Sequence, residues 1–324
     1  MANTKVSGTW RTVSDYNVSV KVSSTWRSVA EGYTRVSGVW RKWLGPKDIA
    51  VAHGTTPFVS AYPWSNGFGT KYANPATVPT GAGNGVAFSP NGAHIAVAHT
   101  TTPFVSAYPW SSGFGTKYAN PATLPASTGD GVVFSPSGAH IAVAHSVAPQ
   151  ISAYPWSNGF GTKYADPGTA IPIGGGTNTG FGVSFSPSNA HIAIAHTVTP
   201  YVSAYPWSSG FGSKYSNPGT LPAGTGNGVA FSPSGAHIAV AHGTTPFVST
   251  YPWSSGFGTK YANPATLPTG TGSGVAFSPS GAHIAVAHSA TPYLSTYPWS
   301  NGFGTKYSDP ATLPTNTGNG VAWN

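Results

Sequence analysis

Short apolar runs of four to six residues, each bounded by Gly, Pro, Ser, Thr or Asn, recur along most of the chain. One unit reads Gly85–Pro90 (GVAFSP), His94–His99 (HIAVAH), Pro103–Trp110 (PFVSAYPW) and Phe114–Tyr118 (FGTKY). Pro-Asn-Gly-Ala, Thr-Thr-Thr, Ser-Ser-Gly and a longer Pro/Gly/Thr-rich link separate these runs. Runs so short, rich in β-branched and aromatic residues and punctuated by turn formers, predict four β-strands per unit. Helices are excluded, because Gly, Pro, Ser, Thr and β-branched residues crowd every window.

The unit repeats. Tyr-Pro-Trp-Ser recurs at Trp64, Trp110, Trp156, Trp207, Trp253 and Trp299, spaced 46, 46, 51, 46 and 46 residues. A strand-built unit of this period fits a propeller blade better than a helical solenoid. The first unit begins at Asp48–His53 and lacks its Gly-Val-Ala-Phe strand, whereas Gly320–Trp323 supplies one spare copy after the last unit. A chain that starts one strand late and ends one strand over is suited to closing a ring and removing its open edge. The expectation is all-β: a six-bladed β-propeller of four-stranded blades over residues 48–324, 24 strands in total, its first blade completed by 320–323.

Val86–Gly92 (VAFSPNG) and its copies resemble the Val-x-Phe-Ser-Pro-Asp-Gly segment of WD40-like and YVTN-type β-propellers, and Tyr-Pro-Trp-Ser sits where that family places Trp-Asp. The resemblance implies a propeller that binds partners. Serine replaces the aspartate after Trp and the family's Gly-His is missing, so its structural hydrogen-bond tetrad is not expected to carry over.

Residues 1–47 carry a different, shorter repeat: Val6–Arg11 (VSGTWR), Val22–Arg27 (VSSTWR) and Val36–Arg41 (VSGVWR). Ser-Gly or Ser-Ser after a valine-rich run reads as a tight turn, which predicts a chain of hairpins. So small a segment buries little by itself and is expected to dock on a partner or on its own copies. Leu44–Lys47 is the expected joint. The pattern is similar to hairpin repeats of tailed-bacteriophage structural proteins. That resemblance implies attachment or oligomerisation through Trp10, Arg11, Trp26, Arg27, Trp40 and Arg41.

Composition adds constraints. Charged residues are 6% of the 324 residues, while hydrophobic residues are 39% and aromatic residues 13%. Gly and Pro are abundant, at 42 and 30, but this much apolar material predicts an ordered core rather than disorder. Net charge is +8, of which residues 1–47 carry +6. The larger region has no basic stripe, so nucleic-acid binding is not expected. Cysteine is absent, which excludes disulfides and thiolate chemistry. No apolar run suits a signal peptide or a membrane span, so no membrane insertion is expected and release would be by lysis or within a particle.

The eleven histidines fall at the ends of the His-Ile-Ala-Val-Ala-His strand: His53, His99, His145, His196, His242 and His288 in one set, and His94, His140, His191, His237 and His283 in the other. Residues five apart on a strand face opposite ways, so one blade's pair cannot share a metal, and no metal or cofactor is expected. The histidines are expected to cap strand ends and bond to neighbouring loops, with pH sensitivity near 6.5 as the functional alternative. Tyr-Pro-Trp is expected to pack between blades.

The Gly-Phe-Gly-Thr/Ser-Lys hairpin is the candidate ligand surface. A ring between two glycines and a cation three residues on suit a carbohydrate or an anionic polymer. Its residues are Phe68, Lys71, Phe114, Lys117, Phe160, Lys163, Phe211, Lys214, Phe257, Lys260, Phe303 and Lys306. An alternative is that each Phe folds under the neighbouring blade. The expanded link Asp166–Phe181 is a candidate unique contact or a tolerated insertion.

Four scattered carboxylates in 48–324 and near-identical blades give no acid/base pair, so no catalytic residues are expected and the chain reads as a non-enzyme. Repeated weak sites on one rigid body suit avidity. The leading expectation is a virion structural or adhesion protein of a tailed phage: a tail fibre, tail-associated or decoration protein. Its partners would be other virion proteins through 1–47 and a host-surface glycan or protein through the propeller, with homo-oligomers compatible. The alternative is a free lectin-like or scaffolding propeller.

Overall fold

A computed structural model gives the strand backbone within residues 2–47. It describes residues 48–64, 68–172, 182–314 and 317–322 in full. The chain divides into two compact units, Met1–Ala50 with Ala61–Tyr72, and Val51–Ser60 with Ala73–Asn324. Among the described residues every regular element is a strand.

The first unit contains three antiparallel hairpins: Ala2–Val6 with Thr9–Val13, Ser19–Val22 with Thr25–Ser28, and Gly32–Val36 with Val39–Leu44. Val6 pairs with Thr9, Val22 with Thr25 and Val36 with Val39, so each connection is two residues long, as the Ser-Gly and Ser-Ser turns predict. Register places Trp10 opposite Lys5, Trp26 opposite Lys21 and Trp40 opposite Arg35. Arg11, Arg27 and Arg41 stand opposite Thr4, Val20 and Thr34. The side chains of these six candidate attachment residues lie outside the described residues.

Beyond the hairpins, Lys47–Ala52 pairs with Val59–Trp64, and five three-stranded antiparallel sheets follow. Sheet 1 comprises Gly83–Phe88, His94–His99 and Val105–Pro109; sheet 2 comprises Gly129–Phe134, His140–His145 and Ile151–Pro155. Sheet 3 is Val183–Phe185, His191–Ala195 and Val202–Pro206; sheet 4 is Gly226–Phe231, His237–His242 and Val248–Pro252; sheet 5 is Gly272–Phe277, His283–His288 and Leu294–Pro298.

The core lies between successive sheets. Alternation along His-Ile-Ala-Val-Ala-His puts alanines on one face and Ile/Val on the other. Ala96 and Ala98 of sheet 1 pack with Ile141 and Val143 of sheet 2, and Ala142 of sheet 2 with Ile192 and Ile194 of sheet 3. The same pairing joins sheets 3 to 4 and 4 to 5. A small face meets a large face at each junction, which is why both residue sizes are needed on one strand.

The four-stranded expectation requires correction. Phe114–Tyr118 and its equivalents form no strand. Phe114 makes one bridge to Trp110, Gly115 N donates to Pro109 O at 2.9 Å, and Tyr118 N donates to Ala107 O at 2.9 Å. Pro109 has no N–H to return, so the ladder is one-sided and the segment trails along the third strand. The expected closing strand is also not formed as such: Val321 and Ala322 are outside any strand, and Trp323 lies outside the described residues.

Candidate functional site

The predicted ligand residues are placed unevenly. Phe68 is 64% exposed, its edge against Tyr62 and Trp64. The other five rings are half-buried. Phe114 meets Tyr108 and Trp110 edge-to-face at 5.5 and 5.0 Å, and Phe160, Phe211, Phe257 and Phe303 repeat this against their own Tyr and Trp. These rings continue their own sheet's aromatic cluster instead of standing free. Lys71 is exposed. Lys117, Lys214 and Lys260 donate to Asn120, Asn217 and Asn263, while Lys163 and Lys306 pair with Asp166 and Asp309. Partial burial holds the ammonium groups of Lys117, Lys214 and Lys260 below the usual lysine range. The candidate residues are therefore lysines held by Asn or Asp three residues on, with half-buried rings in the same segments.

Tyr-Pro-Trp packs as expected. Tyr108 is fully buried and its hydroxyl donates to Thr77 O at 2.8 Å, a bond repeated from Tyr154, Tyr205, Tyr251 and Tyr297 to the preceding links. Trp156, directly after the last strand of sheet 2, stands edge-on to His94 of sheet 1 and to Tyr118 of the segment that follows sheet 1, so the indole bridges neighbouring repeats.

Histidines split by environment. His99 Nε2 bonds to Ser106 Oγ on the adjacent strand at 3.0 Å, as do His145 to Ser152, His196 to Ser203, His242 to Ser249 and His288 to Ser295. Burial drives His99, His145, His196 and His242 down to about 4. The expected titration near 6.5 is corrected for these four: desolvation keeps them neutral well below that pH. The second set bonds to tyrosine hydroxyls, His94 Nδ1 with Tyr118 at 2.9 Å and His140 with Tyr164 at 2.9 Å. Among the described residues no three His, Asp or Glu side chains gather.

A cavity of about 770 Å³ was not anticipated from the sequence. Its lining comes from the beginnings of the first strands: Gly83–Val86, Asp130–Val132, Gly182–Val183, Asn227–Val229, Ser273–Val275 and Asn319–Val321, with Ala52–Gly54. The Gly-x-Gly-Val motif makes this convergence feasible. A Cβ on Gly228 would stand 3.1 Å from Gly274 Cα, and one on Gly274 would stand 2.9 Å from Gly320 Cα. Gly318 N donates to His288 O, the bond that Gly83 makes to His53 and Gly226 to His196. Residues 318–321 thus occupy the position that a first strand occupies in the other repeats.

The residue between the glycines points to the site's chemistry. Asn84 Nδ2 donates to Gly129 O at 3.0 Å and Asn227 Nδ2 to Gly272 O at 2.8 Å, tying neighbouring sheets together. Asp130 is 6% exposed, its Oδ2 has no hydrogen-bond partner among the described residues, and burial pushes its carboxyl up to about 7. The signal for it was in the sequence. Within an otherwise constant motif this one position reads Asn84, Asp130, Phe181, Asn227, Ser273 and Asn319, an asymmetry that needs no second carboxylate nearby to be visible.

No family model matches the chain, and no curated protein matches it. Solved structures do. A putative 6-phosphogluconolactonase from Bacteroides uniformis is 12% identical, with 80% of each chain covered and a TM-score of 0.58. Hydrazine synthase from Kuenenia stuttgartiensis is 15% identical over 74% of this chain and 70% of that one, with a TM-score of 0.56. A protein of unknown function from Desulfotomaculum acetoxidans is 14% identical over 80% of each chain, with a TM-score of 0.57. The expectation of a non-enzyme is corrected by the first of these, because a fold that carries a lactonase description is no argument against catalysis. At these identities the likeness is one of fold: the chain is an all-β protein of repeated antiparallel sheets, similar in architecture to these three.

Proposed function

We propose that residues 48–324 form a six-bladed, WD40-like propeller closed by Gly320–Trp323, and that its repeated rim binds host-surface glycans on behalf of a tailed-phage particle. Residues 1–47 would attach it to other virion proteins. The observation that carries this reading is recurrence. The same lysine, carrying an amide or carboxylate partner three residues later, returns at Lys117, Lys163, Lys214, Lys260 and Lys306 beside the same half-exposed ring. Individually such a contact is weak, but repeated on one body it gives avidity. Closure is supported by the placement of 318–321 and by the small-face-to-large-face junction. A junction of two unlike faces propagates from sheet to sheet until a ring closes it.

The test is saturable binding of the full chain to glycan arrays and to whole bacterial cells, compared with a variant carrying Lys→Gln at all six rim lysines. Lys163 and Lys306 are mostly covered and pair with exposed Asp166 and Asp309; glutamine keeps a donor and much of the apolar stem, so the variant should fold. Binding weakened by roughly tenfold or more is expected. Undiminished binding contradicts the rim assignment, and absence of binding contradicts the adhesion reading.

A further inference from the structure

One hydrogen-bonded pair recurs along the repeats, a histidine at the end of one strand with a serine on the next. In five copies it is sealed. His99, His145, His196, His242 and His288 are fully buried, and Ser106, Ser152, Ser203, Ser249 and Ser295 are each 1% exposed. The first copy differs: His53 Nε2 and Ser60 Oγ stand 2.9 Å apart, and both residues are partly exposed. Strand register gives the reason. Ser106 stands opposite Val97, and both are buried. Val51, the counterpart of Val97, is 46% exposed, so the face that carries Ser60 is open to solvent. His53 also lines the cavity.

We propose that Ser60 and His53 form an acyl-transfer site for small carboxylic esters. A serine hydroxyl is a weak nucleophile until a neighbouring base can take its proton, and an imidazole nitrogen at hydrogen-bond distance is such a base. In the copy of sheet 2, His145 Nδ1 bonds to Val147 O at 2.9 Å, which makes Nδ1 the protonated nitrogen and leaves Nε2 as the acceptor. Thr55 holds the place of Val147 in the first repeat. As Ser60 Oγ attacks the ester carbonyl, its proton passes to His53 Nε2. That proton then goes to the departing alcohol, leaving an acyl-serine. Water gives a proton to Nε2 and attacks the acyl-serine, releasing the carboxylic acid and returning the proton to Ser60 Oγ. Exposed Val51 offers the acyl chain an apolar contact. The five sealed pairs have the same groups without the access, so reactivity belongs to the first copy. The site stands whether or not the protein binds glycans.

Treatment of the full chain with phenylmethanesulfonyl fluoride, followed by peptide mass spectrometry, tests it. The sulfonyl group should attach to Ser60 Oγ with loss of fluoride, while Ser106, Ser152, Ser203, Ser249 and Ser295 stay unmodified. p-Nitrophenyl acetate should be hydrolysed with an initial burst, at a rate that falls in acid, where imidazole is protonated. Ser60→Ala and His53→Gln should each lower that rate about a hundredfold, with the circular dichroism spectrum unchanged. An unmodified Ser60 would mean that this copy is sealed like the other five, and overturns the proposal. Equal modification of the sealed serines, or ester hydrolysis that survives Ser60→Ala, overturns it as well.

Discussion

At the scale of single residues, the repeat supplies its own controls, since each position can be compared with its counterparts. Burial raises the Asp130 carboxyl to about 7, so the folded state holds its proton more tightly than the unfolded chain. The destabilisation is absent below the ordinary carboxylate range, grows as pH rises and is complete above 7. Asp130→Asn should therefore raise the melting temperature at pH 8 and leave it nearly unchanged at pH 4, a difference that thermal denaturation at the two pH values measures. Gln150 is a second exception. It stands where Phe58, Phe104, Tyr201, Phe247 and Tyr293 stand in the other repeats, is 1% exposed, and buries an Oε1 that has no partner among the described residues. Gln150→Phe should stabilise the protein by about 1–2 kcal/mol in chemical denaturation, by removing the unmade hydrogen bond. No gain, or a loss, would mean that the amide has a partner in solution.

At the scale of elements, the strands were legible because alternation and turn residues agree. His-Ile-Ala-Val-Ala-His is six residues with a glycine or serine turn before it, and it is a strand in every sheet, though one residue shorter in sheet 3. The fourth strand misled because Phe-Gly-Thr-Lys-Tyr has strand composition, while the obstacle, the missing N–H of Pro109, sits on the partner segment. The cavity was illegible for a similar reason: it is built from glycines whose role is to allow backbones to approach. Gly226 makes the point most sharply. A Cβ there would lie 2.1 Å from Tyr201 O, a backbone atom that cannot swing away. Gly226→Ala should destabilise the protein by about 2 kcal/mol or more, read from the denaturation midpoint. A neutral result would indicate that sheets 3 and 4 are less tightly joined than described.

At the scale of the whole molecule, histidine burial sets the response to acid. His99, His145, His196 and His242 titrate near 4 when folded against 6.5 for an ordinary histidine. A base with a lowered folded value favours the native state while neutral. Stability is therefore complete above 6.5 and falls as pH drops toward 4, by on the order of 1–3 kcal/mol per histidine. Asp130 opposes these four with a single contribution of opposite sign. Melting temperature should fall steeply between pH 6.5 and 4, and a flat profile would show that these histidines are solvated.

Ring closure is the claim on which the whole-molecule reading depends. The leading pair exposes Val51 by 46%, whereas its counterpart Val97 is fully buried, so the leading pair is the place where a completing strand would be felt. Hydrogen–deuterium exchange of the full chain measures this directly. If Gly320–Trp323 completes the first blade, the amides of 320–323 and of Asp48–His53 should be protected together, at a level comparable to His94–His99. Rapid exchange of 320–323 beside a protected His94–His99 strand would contradict a closed ring.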